Sequence, residues 1–188
     1  MPIEEYTFFV LQTVFTGLWL LWLGRRLAES AEQAALPMAA RRYGLGGLAL
    51  TWLAAGAILI RGWAPGTYLA LELIWLLPPI LPQVALGAGV LWQQRRLVSL
   101  ALLAPVAYLS VTDSIAIRAG VWSISPRQTT GLLLGSVLPL EEFIFFLVTN
   151  ILIVFGLILF MALPGVTVRP WKGDKMPSGV SKHEVKAQ

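Results

Sequence analysis

Five apolar runs, each followed by an arginine or a proline, leave this chain little choice of fold. A helix needs about 20 mostly apolar residues to cross the hydrocarbon of a bilayer. Residues 6–24 run into Arg25 and Arg26, and residues 45–60 into Arg61. Residues 68–92 stop before Arg95 and Arg96, residues 97–117 stop at Arg118, and residues 142–163 stop at Pro164. The reading is an all-α integral membrane protein of about five transmembrane helices. Composition supports it: 57% of residues are hydrophobic and 13% charged, about half the charge of a soluble domain. The formal net charge of +4 does not signal nucleic-acid binding, because the bases sit in short loops and a tail. The N-terminus carries two acids and no basic region, so a cleaved signal peptide is not expected. The polar tail 166–188 is expected to be disordered.

Several chemistries are excluded by what the chain lacks. It has no cysteine, hence no disulfide, thiolate nucleophile or cysteine metal site. Its one histidine, His183, lies in the tail, whereas a membrane di-iron site needs several imidazoles on facing helices. Every lysine lies at or beyond Lys172, so no intramembrane Schiff base can form. Gly44-Leu45-Gly46-Gly47 is not a dinucleotide fingerprint, since no strand precedes it. No P-loop, Asp-rich diphosphate motif or nucleophile elbow is present. No cofactor and no metal are therefore expected, and what remains is carboxylate acid/base work on an apolar substrate or no chemistry at all.

Loop charge orients the bundle. Arg25, Arg26, Arg41, Arg42, Arg95, Arg96, Arg169, Lys172, Lys175, Lys182 and Lys186 fall on one side, and Arg61, Arg118 and Arg127 on the other. The positive-inside rule then puts the N-terminus outside and the C-terminus in the cytoplasm.

An internal repeat points to function. Residues 2–13 read PIEEYTFFVLQT and residues 139–150 read PLEEFIFFLVTN, five of twelve identical at an offset of 137. Hydrophobic segments match readily in Leu and Val, but not in a Pro-x-Glu-Glu-x-x-Phe-Phe frame. Both copies open a helix running outside to inside, so Glu4, Glu5, Glu141 and Glu142 share the outer face of the membrane. The repeat is of the parallel kind, with its axis along the membrane normal. Glu72 and Asp113 fall roughly 6–8 Å below the same boundary at 1.5 Å per residue. An acid at that depth is costly and commonly marks function or pairing.

Each feature also has a plainer reading. Proline and carboxylates suit the first turn of any helix. Glu72 reads either as a side chain snorkelling to the headgroups or as a site acid. Asp113 reads either as a partner of Arg118 or Arg127 or as a site acid, and Trp122 as an interfacial anchor. Phe8 and Phe9 lie one turn after Glu4 and Glu5, as Phe145 and Phe146 do after Glu141 and Glu142. These rings read as packing or as π-faces beside a proton donor, suited to a carbocation. Thr149 and Asn150 continue the second stripe. Pro78, Pro79, Pro82 and Pro105 interrupt the third and fourth runs, as breaks that line a cavity or as kinks.

The stretch 139–150, together with the upstream frame Asp113, Ala116, Gly120 and Trp122, resembles the signature of the lycopene cyclase domain family. These are small integral-membrane carotenoid cyclases of bacteria, archaea and fungi, built from three-helix units used as two subunits or fused. The resemblance implies that residues 1–24 are the last helix of a partial first unit and 25–67 a loop and connector helix. It makes 68–163 a complete second unit and 164–188 a basic cytoplasmic tail. At the repeat offset, the counterpart of Tyr68 would lie about 70 residues ahead of Met1. An upstream start, a partner chain supplying two helices, or a reduced copy would each account for that.

The resemblance further implies a redox-neutral cyclisation of the ψ-ends of lycopene, or a related linear carotenoid, to ionone-type rings in a prokaryotic plasma membrane. An acid, a base, a dry pocket and π-faces are needed. Two adjacent carboxyls at the hydrocarbon edge are expected to share a proton, giving donor and acceptor side by side. Glu141 and Glu142 are the first candidates for catalysis, with Asp113 as partner or relay and Glu4 and Glu5 as the matching pair. Phe145, Phe146, Phe8, Phe9, Trp122, Asn150 and Glu72 are the candidate substrate contacts. The expected partners are the carotenoid, the lipid bilayer and a second cyclase unit, in a homo- or hetero-oligomer. The alternatives are a non-catalytic carotenoid-binding or partner subunit and, less fittingly, a small proton-coupled transporter. The nearly pure apolar inner halves of the first, fourth and fifth runs argue against a transport path.

Overall fold

The computed structural model describes residues 3–27 and 36–163, apart from the side chains of Glu4 and Glu5. Glu29, Glu32 and the tail lie outside the described residues. Five helices follow one another: α1 (Ile3–Leu27), α2 (Met38–Arg61), α3 (Thr67–Gln93), α4 (Arg95–Arg118) and α5 (Leu140–Met161). All five are long and apolar enough to cross a membrane. In hydrocarbon, backbone N–H and C=O groups must find partners within their own segment, which is why such runs become helices.

The ends follow local chemistry. Arg25 and Arg26 stand in the last turn of α1, and Arg118 in the last turn of α4, where cations favour the helix dipole. Gly62, at φ 64, ends α2 in the left-handed region, and the N–H groups of Gly62 and Trp63 cap the carbonyls of Leu59 and Ile58. Glu141 and Glu142 occupy the first turn of α5 behind Pro139.

Two expectations are corrected. The second helix starts at Met38 rather than at 45, because Arg41 and Arg42 lie on the helix itself. The Arg41 guanidinium donates to the Ala85 carbonyl of α3. The prolines do not interrupt their helices. α3 runs unbroken past Pro78, Pro79 and Pro82, and α4 past Pro105. Pro78 cannot donate to the Ile74 carbonyl, and the Trp52 indole of α2 donates to it instead at 3.2 Å, so the freed group is satisfied. Pro78, Pro79 and Pro82 point outward, and Pro105 is buried.

α5 lies between α3 and α4, which hardly touch each other. α1 packs along α4 and α5, and α2 along α3. α3 and α5 approach closely at Gly87, where a Cβ would lie 2.1 Å from Leu159 Cδ2; small residues at such crossings let helices meet. One apolar cluster joins Leu20, Leu23, Leu91, Ala101, Val154 and Ile158 from four helices. A second, around Leu77, Ile80 and Val148, carries Leu48 and Trp52 of α2.

α1 and α5 run parallel along a buried polar seam. Gln12 Nε2 donates to Thr149 Oγ1 at 2.8 Å, and Thr16 donates to Asn150 Oδ1 at 2.6 Å. Gln12 and Thr149 are repeat equivalents. Above them Phe8 meets Phe146 at 6.3 Å and Phe9 meets Phe145 at 5.8 Å between ring centroids. Contacts of this reciprocal form are what a two-fold between the repeats requires.

Candidate active site

The α4–α5 connection, residues 119–139, folds across one end of the bundle and fixes the acids. It contains a hairpin of β1 (Leu133–Leu134) and β2 (Leu138–Pro139), with Leu133 opposite Pro139 and Leu134 opposite Leu138. Gly131 and Gly135, at φ 74 and 57, turn the chain where other residues would be strained. The Gln128 carbonyl accepts the Tyr68 N–H of α3, and the Leu132 carbonyl accepts the Leu140 N–H of α5. The loop thereby bridges the starts of both helices.

Four acids gather beneath it. Glu141 is fully buried, at 0% exposure. Its Oε1 accepts two hydrogen bonds from Thr130, from N at 2.6 Å and from Oγ1 at 2.7 Å. Its Oε2 has no partner. Glu142 Oε1 accepts the Tyr68 hydroxyl at 2.7 Å. Asp113, also buried, accepts the Trp122 indole N–H on Oδ1 at 2.9 Å and leaves Oδ2 unpartnered. Both oxygens of Glu72 are buried without a partner. Glu72 lies close enough to Glu141 and Glu142, and Asp113 to Glu142, to interact through space. The hydrogen bonds found for these acids come from neutral groups: a phenol, an indole, a hydroxyl and an amide. Unpartnered buried carboxyl oxygens are rare because each forgoes water for nothing. Their concentration in one place makes this the candidate site.

The two plainer readings of these acids do not hold. Glu72 is not snorkelling to the headgroups. Asp113 is held by Trp122 rather than by Arg118 or Arg127. Trp122 is still half-exposed and also walls a cleft of about 470 Å³ with Ile117, Val121, Ile124, Leu133 and Val137.

The aromatic frame lies one turn further along α5. Phe8, Phe9, Phe145 and Phe146 form one contiguous group, with Phe145 and Phe146 at 5.8 Å from each other. Phe146 and Phe8 belong to the apolar cluster with Leu109, Leu138 and Ile117 beneath the loop. Asn150 lies one turn beyond Phe146, buried, with its hydrogen-bonding groups engaged by Thr16 and by the Phe146 carbonyl. The backbone of Glu4 and Glu5 lies in the first turn of α1, but their side chains are outside the described residues. Among the described residues, no group of three His, Cys, Asp or Glu side chains is arranged to hold a metal ion.

Tyr68 and Thr130 were not legible as site residues. Tyr68 lies one turn before Glu72 and so shares its face, a weak signal in hindsight. Thr130 precedes Glu141 by eleven residues in an irregular loop, and no spacing rule reaches it.

Comparison with known proteins ties these features together. The chain is 37% identical over 161 residues to a lycopene beta-cyclase of Halobacterium salinarum, covering 85% of this chain and 65% of that protein. It is 36% identical over 166 residues to a bifunctional lycopene cyclase/phytoene synthase of Podospora anserina, covering 85% of this chain and 28% of that protein. A bifunctional protein of the same description from Phaeosphaeria nodorum is 36% identical over 170 residues, again covering 85% and 28%. The chain thus spans a little under two thirds of the archaeal relative and about a quarter of the fungal ones. No family profile matches it, and no solved structure does.

Proposed function

The chain belongs to the lycopene cyclase family, and from that premise we propose that it closes the ψ-ends of lycopene, or a related linear carotenoid, into ionone-type rings. The observation that carries this is Glu141: a carboxyl with no exposure and one oxygen without a partner, beside Glu142 and one turn before the phenylalanine pair of α5. One carboxyl adds a proton to the terminal double bond, leaving a tertiary cation. The internal alkene attacks that cation, forming the ring carbon–carbon bond and moving the charge into the ring. A neighbouring carboxylate removes a ring proton and restores a double bond. One proton enters and one leaves, so the product is an isomer of the substrate and no electron acceptor is consumed.

Each requirement of this sequence has a candidate. Glu141 and Glu142 supply the acid and base, with Asp113 as partner or relay and Glu4 and Glu5 as the corresponding pair on α1. Phe8, Phe9, Phe145 and Phe146 face the cation, which the negative faces of aromatic rings favour. Trp122, Glu72 and Asn150 bound the pocket. The apolar cleft beside Trp122 is the entry for the polyene end. In this reading residues 68–163 form a whole unit and α1 the end of another, set in a prokaryotic plasma membrane with the N-terminus outside.

The bare outer face of α1 supports a second reading: the chain works only with a further cyclase unit seated there. Pigment chromatography in a lycopene-accumulating bacterium tests both. The chain is expressed alone, with the sequence encoded ahead of it in its gene, and with a second three-helix unit. New cyclic carotenoids in any arm are expected. Lycopene untouched in all arms, with the protein inserted in the membrane, would overturn the cyclase reading in favour of a carotenoid-binding role.

A further inference from the structure

We propose that Thr130 and Tyr68 are positioning residues of this cyclisation, a proposal that rests on the cyclase reading. Each holds one glutamate by a single oxygen and so fixes which oxygen faces the substrate. Thr130 spends both its N–H and its hydroxyl on the same atom, Glu141 Oε1. A carboxyl oxygen has two lone-pair directions, and two donors at 2.6 and 2.7 Å use them. The carboxyl plane is thereby locked, and Oε2 is left buried and unpartnered as the oxygen that meets the polyene. Tyr68 does the matching work on Glu142 through one phenolic hydrogen bond.

The two are mechanically linked. Tyr68 is tied by its own N–H to the Gln128 carbonyl, two residues before Thr130. One short strap therefore sets both carboxyls, which themselves stand on adjacent residues of α5. The chemistry needs that rigidity. The acid and the base must address different carbons of one folding polyene end, and the carbon that loses its proton decides where the ring double bond falls. A carboxyl free to turn would protonate less often and deprotonate less selectively, and displacement of about 1 Å in such a group is costly.

The experiment compares Thr130→Val, Thr130→Ser and Tyr68→Phe with the wild-type full-length gene product in membranes, by initial rate against lycopene concentration and by chromatography of ring isomers. Thr130→Val keeps the N–H and the side-chain shape and removes only the hydroxyl. It and Tyr68→Phe should each lower turnover about tenfold, the scale of one hydrogen bond to such a group. Half-saturation should be unchanged and the share of minor double-bond isomers should rise. Thr130→Ser should restore rate and isomer ratio. Wild-type turnover in both altered proteins, an unchanged isomer ratio, or failure of serine to rescue would each overturn the proposal while the cyclase reading stood. Absence of rings from the wild-type arm would overturn both.

Discussion

α1 and α5 carry the same motif and live in different surroundings. Phe146 of α5 is 4% exposed and its repeat equivalent Phe9 is 36%; Val148 is 9% exposed and its equivalent Leu11 is 62%. The side chains are alike, so the difference is made by neighbours. α5 is embraced by α3, α4 and α1, whereas α1 meets only α4 and α5 among its principal contacts. The pair agrees at Gln12 and Thr149, on the faces turned toward each other, where both are buried. A repeated motif thus specifies a helix and an interface, and the rest of its environment comes from elsewhere.

The comparison can be broken at several strengths. The largest effect is expected in the proposed chemistry. Glu141→Gln should cut ring formation more than 100-fold with membrane insertion intact, the loss typical of an essential proton donor or acceptor. The matched change Glu4→Gln should cost less than tenfold, because the strap and Tyr68 serve α5. Chromatography of pigments decides, and equal losses would mean that the two helices contribute equally.

Next comes packing. Gly87→Leu should destabilise the bundle by about 1–3 kcal/mol or more through overlap with Leu159. Gly24→Leu on α1, where nothing lies within 4 Å, should be nearly neutral. Thermal unfolding in detergent reads both. The seam should matter less: Asn150→Leu or Gln12→Leu should cost about 0.6–2 kcal/mol, the range for interhelical hydrogen bonds in membranes. The smallest effect is expected on the outer face of α1. Leu11→Phe should change stability by less than about 0.5 kcal/mol, and its influence should emerge only as weaker co-purification with a second cyclase unit.

What could be read from the sequence divides along physical lines. The five spans were legible because hydrocarbon imposes a length and a composition, and arginines mark the exits. The pairing of α1 with α5 is in keeping with the repeat, since the Glu-Glu and Phe-Phe frames fall at matched positions of the two helices. The start of α2 lies ahead of its apolar run, where two arginines in its first turns imitate a loop. Prolines in α3 imitated breaks because the compensating donor, Trp52, comes from another helix. That Glu72 stands near the start of α3 and Asp113 near the end of α4 was legible, but their partners were not. Trp122 lies nine residues beyond Asp113, around a turn, and Thr130 reaches Glu141 only because a glycine at positive φ follows it. Hydrogen bonds made across a loop leave no periodic trace.

The spacing of the Tyr68–Glu142 bond has a consequence for how the protein is made. The two residues are 74 positions apart, and synthesis proceeds at roughly 5–20 residues per second. For roughly 4–15 s at that pace, α3 exists with its tyrosine and Glu72 exposed to whatever surrounds the nascent chain, before α5 arrives. The acids come together only when the last described helix has entered and the strap has closed over it. A carboxyl cluster whose members come from α3, α4 and α5 is thus incomplete until α5 has joined the bundle, and the chemistry proposed for it would be withheld until then.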